Sequence, residues 1–296
     1  MNITDVLGQE LGYLAEVLKA VEVPLIVGGG YGLLLRQKHI ESSKIRTVRP
    51  FPRTRSTQDL DLFLSIEFIT SPEKMTALKE ALLERGYQSI PGAYHYQFSR
   101  EVDVFETKRT VKIDLLAPPP RDAELLKQMK VDSRRLRPKA VTEIHAHVCE
   151  EAFSVAEKAL YVEVKGDSTV SVMLPHPFSF FLLKLFAYRD QVHNQEKEYG
   201  RYHAFDIYRV AAMTSETEYA EVMSLARKYA DDELVKEAGR IVSTLFDSTQ
   251  STGVLAIREY AIVEEFDLEP VQIDEFVIDL KTFFGPEPRG TSRQFK

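Results

Sequence analysis

Apolar residues recur at helical spacing over residues 2–20, where Ile3, Val6, Leu7, Leu11, Leu14, Val17 and Leu18 form one stripe. Residues 21–27 are a short β-branched run that stops at Gly28, Gly29 and Gly30, and residues 31–37 read as the opening turns of a second helix. Residues 36–55 read as a loop, because Pro50 and Pro52 discourage regular structure and charge replaces periodicity. Strict alternation returns at residues 59–64, with Asp59 and Asp61 between Leu60 and Leu62, and predicts a strand. A capped helix is expected over 72–86, with Ser71 as N-cap and Gly86 as its end. Three short strands follow at 94–98, 102–105 and 111–116, and Pro118, Pro119 and Pro120 stop the last. Further strands are expected at 141–148 and 170–174, with a turn at 165–168. From residue 177 helical periods dominate, at 177–193, 202–213, 217–229, 233–248 and 270–283.

Composition narrows the class. The chain has 296 residues, 44% hydrophobic and 28% charged, as expected of a soluble globular protein. Its 45 acids outnumber 38 bases, for a net charge of −7, which argues against general coating of nucleic acid. The charge is uneven, however. Arg36, Lys38, Lys44, Arg46, Arg49, Arg53 and Arg55 face only Glu41, and Lys127, Lys130, Arg134, Arg135, Arg137 and Lys139 face only Asp132. A single cysteine, Cys149, no leader-like N-terminus and no apolar run of membrane-spanning length set the expectation of a cytoplasmic protein without a membrane segment.

Four features carry candidate chemistry. A glycine turn between strand and helix exposes backbone amides at a helix N-terminus, which suits phosphate; the alternative is tight packing. The dinucleotide fingerprint fails because Leu33 occupies its third glycine position, and no Gly-Lys-Ser/Thr follows for a P-loop. Asp59 and Asp61 point to the same face of a strand, and two adjacent carboxylates are relieved by an oxygen-seeking divalent cation or by water. Asp114 lies in an apolar strand and needs a partner; Asp103 is its rival, in a less apolar run. Lys184 is the one charge within residues 178–188, either snorkelling or pairing an anion, with Arg189 and Asp206 beyond it. His145 and His147 lack a third ligand and read as structural, and Cys149 receives no role.

In order along the chain, Gly29-Gly30, then Arg55-Ser56-Thr57-Gln58-Asp59-Leu60-Asp61, then Asp114 form a series that resembles the nucleotidyltransferase superfamily, with its polymerase-β-like fold. Within it, residues 20–210 look like the bacterial AbiEii-type nucleotidyltransferases, whose third and fourth motifs are similar to the settings of Lys184 and Asp206. The chain departs from that pattern at Tyr31, where many members carry Ser or Thr, in the long basic interval before Asp59, and in lacking an Arg-Asp pair just before Asp206.

The resemblance implies an α+β fold. A mixed sheet with flanking helices would form a catalytic domain over 1–174, a helical bundle over 175–285 would complete the nucleotide site, and 286–296 would be a flexible tail. It implies that Asp59, Asp61 and Asp114 hold Mg²⁺, with Mn²⁺ as a substitute, and that Asp114 is the general base. Gly29, Gly30, Thr57, Lys184, Arg189 and Asp206 would bind the nucleotide. The implied reaction moves an NMP from an NTP to an acceptor and releases pyrophosphate. For the AbiEii type the acceptor would be a tRNA 3′ end or other RNA landing on segments 36–55 and 127–139, and the protein a toxin with an antitoxin partner. Two alternatives stand beside it: small-molecule nucleotidylation, as in aminoglycoside resistance, and a catalytically silent nucleotide-binding protein of the same fold.

Overall fold

The N-terminal stripe forms α1 (Ile3–Lys19), which buries Val6, Leu7, Leu11, Leu14 and Leu18. The computed structural model describes residues 2–19, 25–55, 57–165 and 169–285. Residues 21–24 of the expected first strand, Ser56, positions 166–168 of the expected turn and the tail 286–296 lie outside them. The first strand is therefore described as β1 (Ile26–Val27). It is followed by α2 (Gly29–Ser43), β2 (Asp59–Phe63), α3 (Ile66–Thr70) and α4 (Pro72–Glu84). Ser71 caps α4 as expected, its Oγ accepting from the Lys74 amide at 3.3 Å, and Gly86 follows at φ +79°.

Next come β3 (Gln88–Ser89), β4 (Gln97–Val104), β5 (Thr107–Ala117), α5 (Ala123–Gln128), β6 (Met129–Asp132), β7 (Arg135–Pro138), β8 (Ala146–Val148), β9 (Leu160–Lys165) and β10 (Thr169–Leu174). By their contacts the residues form two compact units, Met1–Arg36 with Ser56–Pro175, and Gln37–Arg55 with His176–Lys296. All ten described strands belong to the first unit. They form one mixed sheet in the order β6-β7-β8-β5-β2-β1-β10-β9, with β4 added on β5 and β3 on β4.

Strand β5 organises this sheet. Along one edge it pairs in parallel with β2, bringing Asp61 opposite Asp114. Along the other edge its first part closes a hairpin with β4, Gln97 opposite Asp114, and its end passes to β8, Leu116 opposite His147. Period-two alternation does the rest. Leu60, Leu62, Ile113 and Leu115 enter the core, while Asp59, Asp61, Lys112 and Asp114 share the opposite face.

The second unit is helical: α6 (Pro177–Gln191), α7 (Arg201–Ala212), α8 (Glu216–Lys228), α9 (Glu233–Leu245), α10 (Thr252–Val263) and α11 (Pro270–Phe284). Aromatic rings fill its core, Phe181 against Phe283 and Phe284, Phe205 against Tyr208 and Phe266, and Phe246 against Phe276. Residues 37–55 cluster here. Arg49, 5% exposed, is paired with Asp279, whose other oxygen accepts from the Tyr219 hydroxyl at 3.0 Å.

The fold corrects the sequence reading in four places. Residues 36–43 are the second half of α2, not a loop, because Arg, Gln and Lys are good helix formers and the prolines act only later. The runs 94–98 and 102–105 are not two strands; Gln97–Val104 is one strand, whose polar centre is held by register with β5 rather than by apolar alternation. Of 141–148 only Ala146–Val148 is extended. Lys165 ends β9 instead of opening a turn.

Candidate functional site

The site grows out of the glycine turn. The Gly28 amide donates to the Asp61 carbonyl at 2.9 Å, extending the β1–β2 ladder by one residue, and the Gly32 amide bonds the Gly28 carbonyl at 2.7 Å as α2 begins. Gly29 has φ +60°, and a Cβ built there would fall 1.6 Å from Asp61 Oδ2. Only glycine permits both that backbone and the approach of the carboxylate. A Cβ at Gly28 would meet the Phe63 ring at 2.5 Å, so the turn clears room for β2 twice. The Asp61 carboxylate thus lies at the positive end of α2, which also contains Gly30 in its first turn. Tyr31 faces the other way. It is buried, its hydroxyl reaches the Thr4 carbonyl at 3.5 Å, and burial above all pushes its pKa up to about 12. It does not replace the Ser or Thr hydroxyl that the resemblance places there.

Asp59, Asp61 and Asp114 are brought together on one face of β2 and β5. Burial first, then the charges of Asp61 and Asp59, pushes the Asp114 carboxyl up to about 7, against an opposing hydrogen bond from Gln97 and the charge of Lys112. Asp114 Oδ1 is buried with no hydrogen-bond partner. Thr57 is buried two residues before the start of the strand, its Oγ1 accepting from the Asp59 amide at 3.3 Å, so it fixes the entry to β2. Gln97 was not singled out from sequence; the β4–β5 hairpin register is the signal that points to it. Cys149 lies close enough to Asp61 to feel its charge. The thiol is pushed far up by burial, then by Glu151, with Asp61 adding to it.

Among the described residues no three His, Cys, Asp or Glu side chains are drawn together closely enough to hold a metal ion as they stand. The donor set nonetheless fits a hard divalent cation: all three groups are carboxylates, one oxygen is orphaned, and one carboxylate is cradled by a glycine. The rival Asp103 is exposed near the hairpin tip, opposite Lys108. His147 stacks on Tyr96 with centroids 5.0 Å apart, and His145 lies 4.7 Å from the His95 ring with Nε2 2.9 Å from the Thr142 carbonyl. Both fit the structural reading.

In the second unit Lys184 and Asp206 meet each other. Lys184 Nζ lies 2.8 Å from Asp206 Oδ2, and Arg209 Nη1 lies 2.8 Å from Oδ1. Arg55 Nε stands 3.9 Å from the same carboxylate, and Arg209 also reaches Glu264 at 3.1 Å. Burial would raise the Asp206 carboxyl, but Lys184, Arg209 and Arg55 together hold it well below the usual carboxylate range. His203 beside them is pushed down to about 3, by burial and then by Lys184. Arg189 does not join the cluster. It is half-buried, 2.7 Å from Asp190 and 3.4 Å from Glu237.

The two basic segments are less free than their sequence suggests. Arg36 and Arg49 are buried and Arg55 is drawn to Asp206, leaving Lys38, Lys44, Arg46 and Arg53 exposed in 36–55. In 127–139, Lys127 pairs with Glu124 and Arg135 with Asp132, while Arg137 donates to backbone carbonyls. No helix among the described residues is long and apolar enough to cross a membrane.

No protein-family model matches the sequence, and no curated protein matches it. Among solved structures, the solution structure of the antibiotic-resistance factor ANT(2'')-Ia is similar over 77% of this chain and 98% of that one, at 10% identity and a TM-score of 0.32. At that overlap the residues themselves have to carry any functional assignment.

Proposed function

We propose that this protein is a metal-dependent nucleotidyltransferase that moves an NMP from an NTP to an acceptor hydroxyl. The observation that supports it is the set of three carboxylates, Asp59, Asp61 and Asp114, in register on β2 and β5 beside the glycine turn that opens α2. These carboxylates would hold Mg²⁺ or Mn²⁺, which when bound supplies positive charge against the phosphates and the attacking oxygen. Amides of Gly29 and Gly30 at the start of α2 take phosphate oxygens. Asp114 is assigned to accept the acceptor's proton as the acceptor oxygen bonds to the α-phosphorus. The α–β phosphoanhydride bond breaks and its electron pair leaves with pyrophosphate. Thr57 fixes the strand that carries Asp59. Lys184, Arg189 and Asp206 are assigned to the nucleotide by the resemblance alone.

The acceptor proposed is RNA, a tRNA 3′ end by the same resemblance, approached through the exposed cations of 36–55 and 127–139. A growth-arresting role with an antitoxin partner follows from that reading. The test is incubation with each α-³²P-labelled NTP, Mg²⁺ and total RNA, followed by gel separation. Label on RNA that disappears in Asp59→Asn and Asp61→Asn supports the proposal. Label on small hydroxylated molecules alone replaces the RNA acceptor with a small one. No transfer from any of the four NTPs to either class overturns nucleotidyl transfer.

A further inference from the structure

A cavity of about 530 Å³ in the second unit is lined by α8, α9 and the last residues of α11, and its size is that of a small-molecule site. Its walls follow helical spacing: Met223, Ala226, Arg227 and Ala230 from α8 and the residues after it, and Val235, Lys236, Gly239, Arg240 and Ser243 from α9. Gly239 shapes it. A Cβ there would lie 2.5 Å from the Phe284 carbonyl oxygen, so only glycine lets the end of α11 bring Phe283 and Phe284 to the wall.

The lining divides by chemistry. Phe283, Phe284, Val235, Met223 and Ala226 make an apolar surface, and Arg227, Lys236 and Arg240 bring three cations with no acid among the lining residues. That inverts the balance of a chain with 45 acids and 38 bases. Lys236 and Arg240 lean back on Glu233 at 2.8 Å and Glu237 at 2.5 Å, exposed pairs that exchange at little cost. The Arg227 side chain makes no ion pair or hydrogen bond with any described residue.

We propose that this cavity binds an amphipathic organic anion, an acyl or aryl carboxylate. Its apolar body lies against Phe283, Phe284 and Val235, and its carboxylate is taken by Arg227 with Lys236 and Arg240. The site is built from residues of the second unit alone, and Asp59, Asp61 and Asp114 are not among its lining.

The test is calorimetric titration of the full chain with decanoate, decanol and ATP. One saturable decanoate site is expected, weakened about tenfold or more in Arg227→Ala/Arg240→Ala, since a charge-assisted contact is lost. Filling the mouth with Ala230→Trp should abolish it, while Asp59→Asn should leave it unchanged. Far-UV circular dichroism confirms that each variant is folded, and Arg227→Glu, at an exposed position, gives a second reading of the charge dependence. Decanol binding as tightly as decanoate overturns the anion assignment. ATP displacing decanoate from the site overturns the apolar one. No saturation up to the solubility limit of decanoate overturns the site.

Discussion

Replacing Gly29 with Ala tests the geometry at the centre of the site. Gly29 sits at φ +60°, where an L-residue with a Cβ pays about 1–2 kcal/mol. Its new Cβ would lie 1.6 Å from Asp61 Oδ2, so the carboxylate must swing away, a strain of the kind that costs about 1–3 kcal/mol more. The expected loss is therefore ~2–5 kcal/mol. Gly86 supplies the control: its φ is +79° and a Cβ there meets nothing within 4 Å, so Gly86→Ala carries the backbone cost alone. The assay is urea unfolding followed by circular dichroism, with midpoints compared at a common slope. The cycle closes with Gly29→Ala in an Asp61→Ala background, where removing the carboxylate should bring the cost most of the way back to that of Gly86→Ala, the Cβ of residue 61 remaining 3.1 Å away. If Gly29→Ala costs no more than Gly86→Ala, or the two site substitutions are simply additive, the carboxylate is not held against this glycine and the reasoning fails.

Two further outcomes are expected. The Asp114 carboxyl is raised in the folded protein from the ordinary value to about 7, so the native state binds the extra proton between about pH 4 and 7. Without a divalent cation, stability therefore falls as pH rises through that window, by up to about 4 kcal/mol, and levels off above it. Urea midpoints at pH 5 and pH 8 check this: Asp114→Asn should remove the fall, and Mg²⁺ should stabilise the wild type at pH 8 far more than at pH 5. Lys184→Met leaves the buried Asp206 with Arg209 at 2.8 Å and the more distant Arg55, and should cost about 3 kcal/mol at pH 7. Thermal unfolding reads that loss, and it should be largely recovered when Asp206→Leu removes the stranded charge.

Much of this architecture is legible in the sequence because local and tertiary signals agree. The stripe of α1, the capped start of α4 and the Asp-Leu-Asp alternation of β2 each state their partner surface in their own periodicity. The helices of the second unit do the same, except α6 and α10, whose apolar residues lie all round and give no face to read. What is not legible depends on pairing at a distance. Strand β4 is continuous because β5 holds it, and Gln97 becomes a neighbour of Asp114 only through that hairpin register. The basic run 36–55 misleads for a related reason: Arg49 and Arg55 are answered by Asp279 and Asp206, more than 150 residues on, so a stretch that reads as solvated buries Arg49.

The two charge clusters differ in a way that bears on function. Asp206 is fully answered by Lys184 and Arg209, and such a cluster can exist for the fold alone. The face of β2 and β5 carries an excess of acid, with Lys112 beside Asp59, Asp61 and Asp114. It places three carboxylates side by side, raises one of them towards neutrality, leaves an oxygen of that same group without a hydrogen bond, and spends a positive-φ glycine to admit a second. Each of these lowers stability, and none is required to bury Leu60, Leu62, Ile113 or Leu115 on the opposite face. A local arrangement that works against the fold, in the middle of an otherwise consistent sheet, is explained by a ligand that reverses its sign, and a divalent cation with a phosphate chain is the ligand these oxygens and the adjoining amides fit. The same reasoning gives its own check: Asp114→Asn should raise the urea midpoint of the metal-free protein at pH 8 while abolishing transfer, a combination that a purely structural carboxylate would not produce.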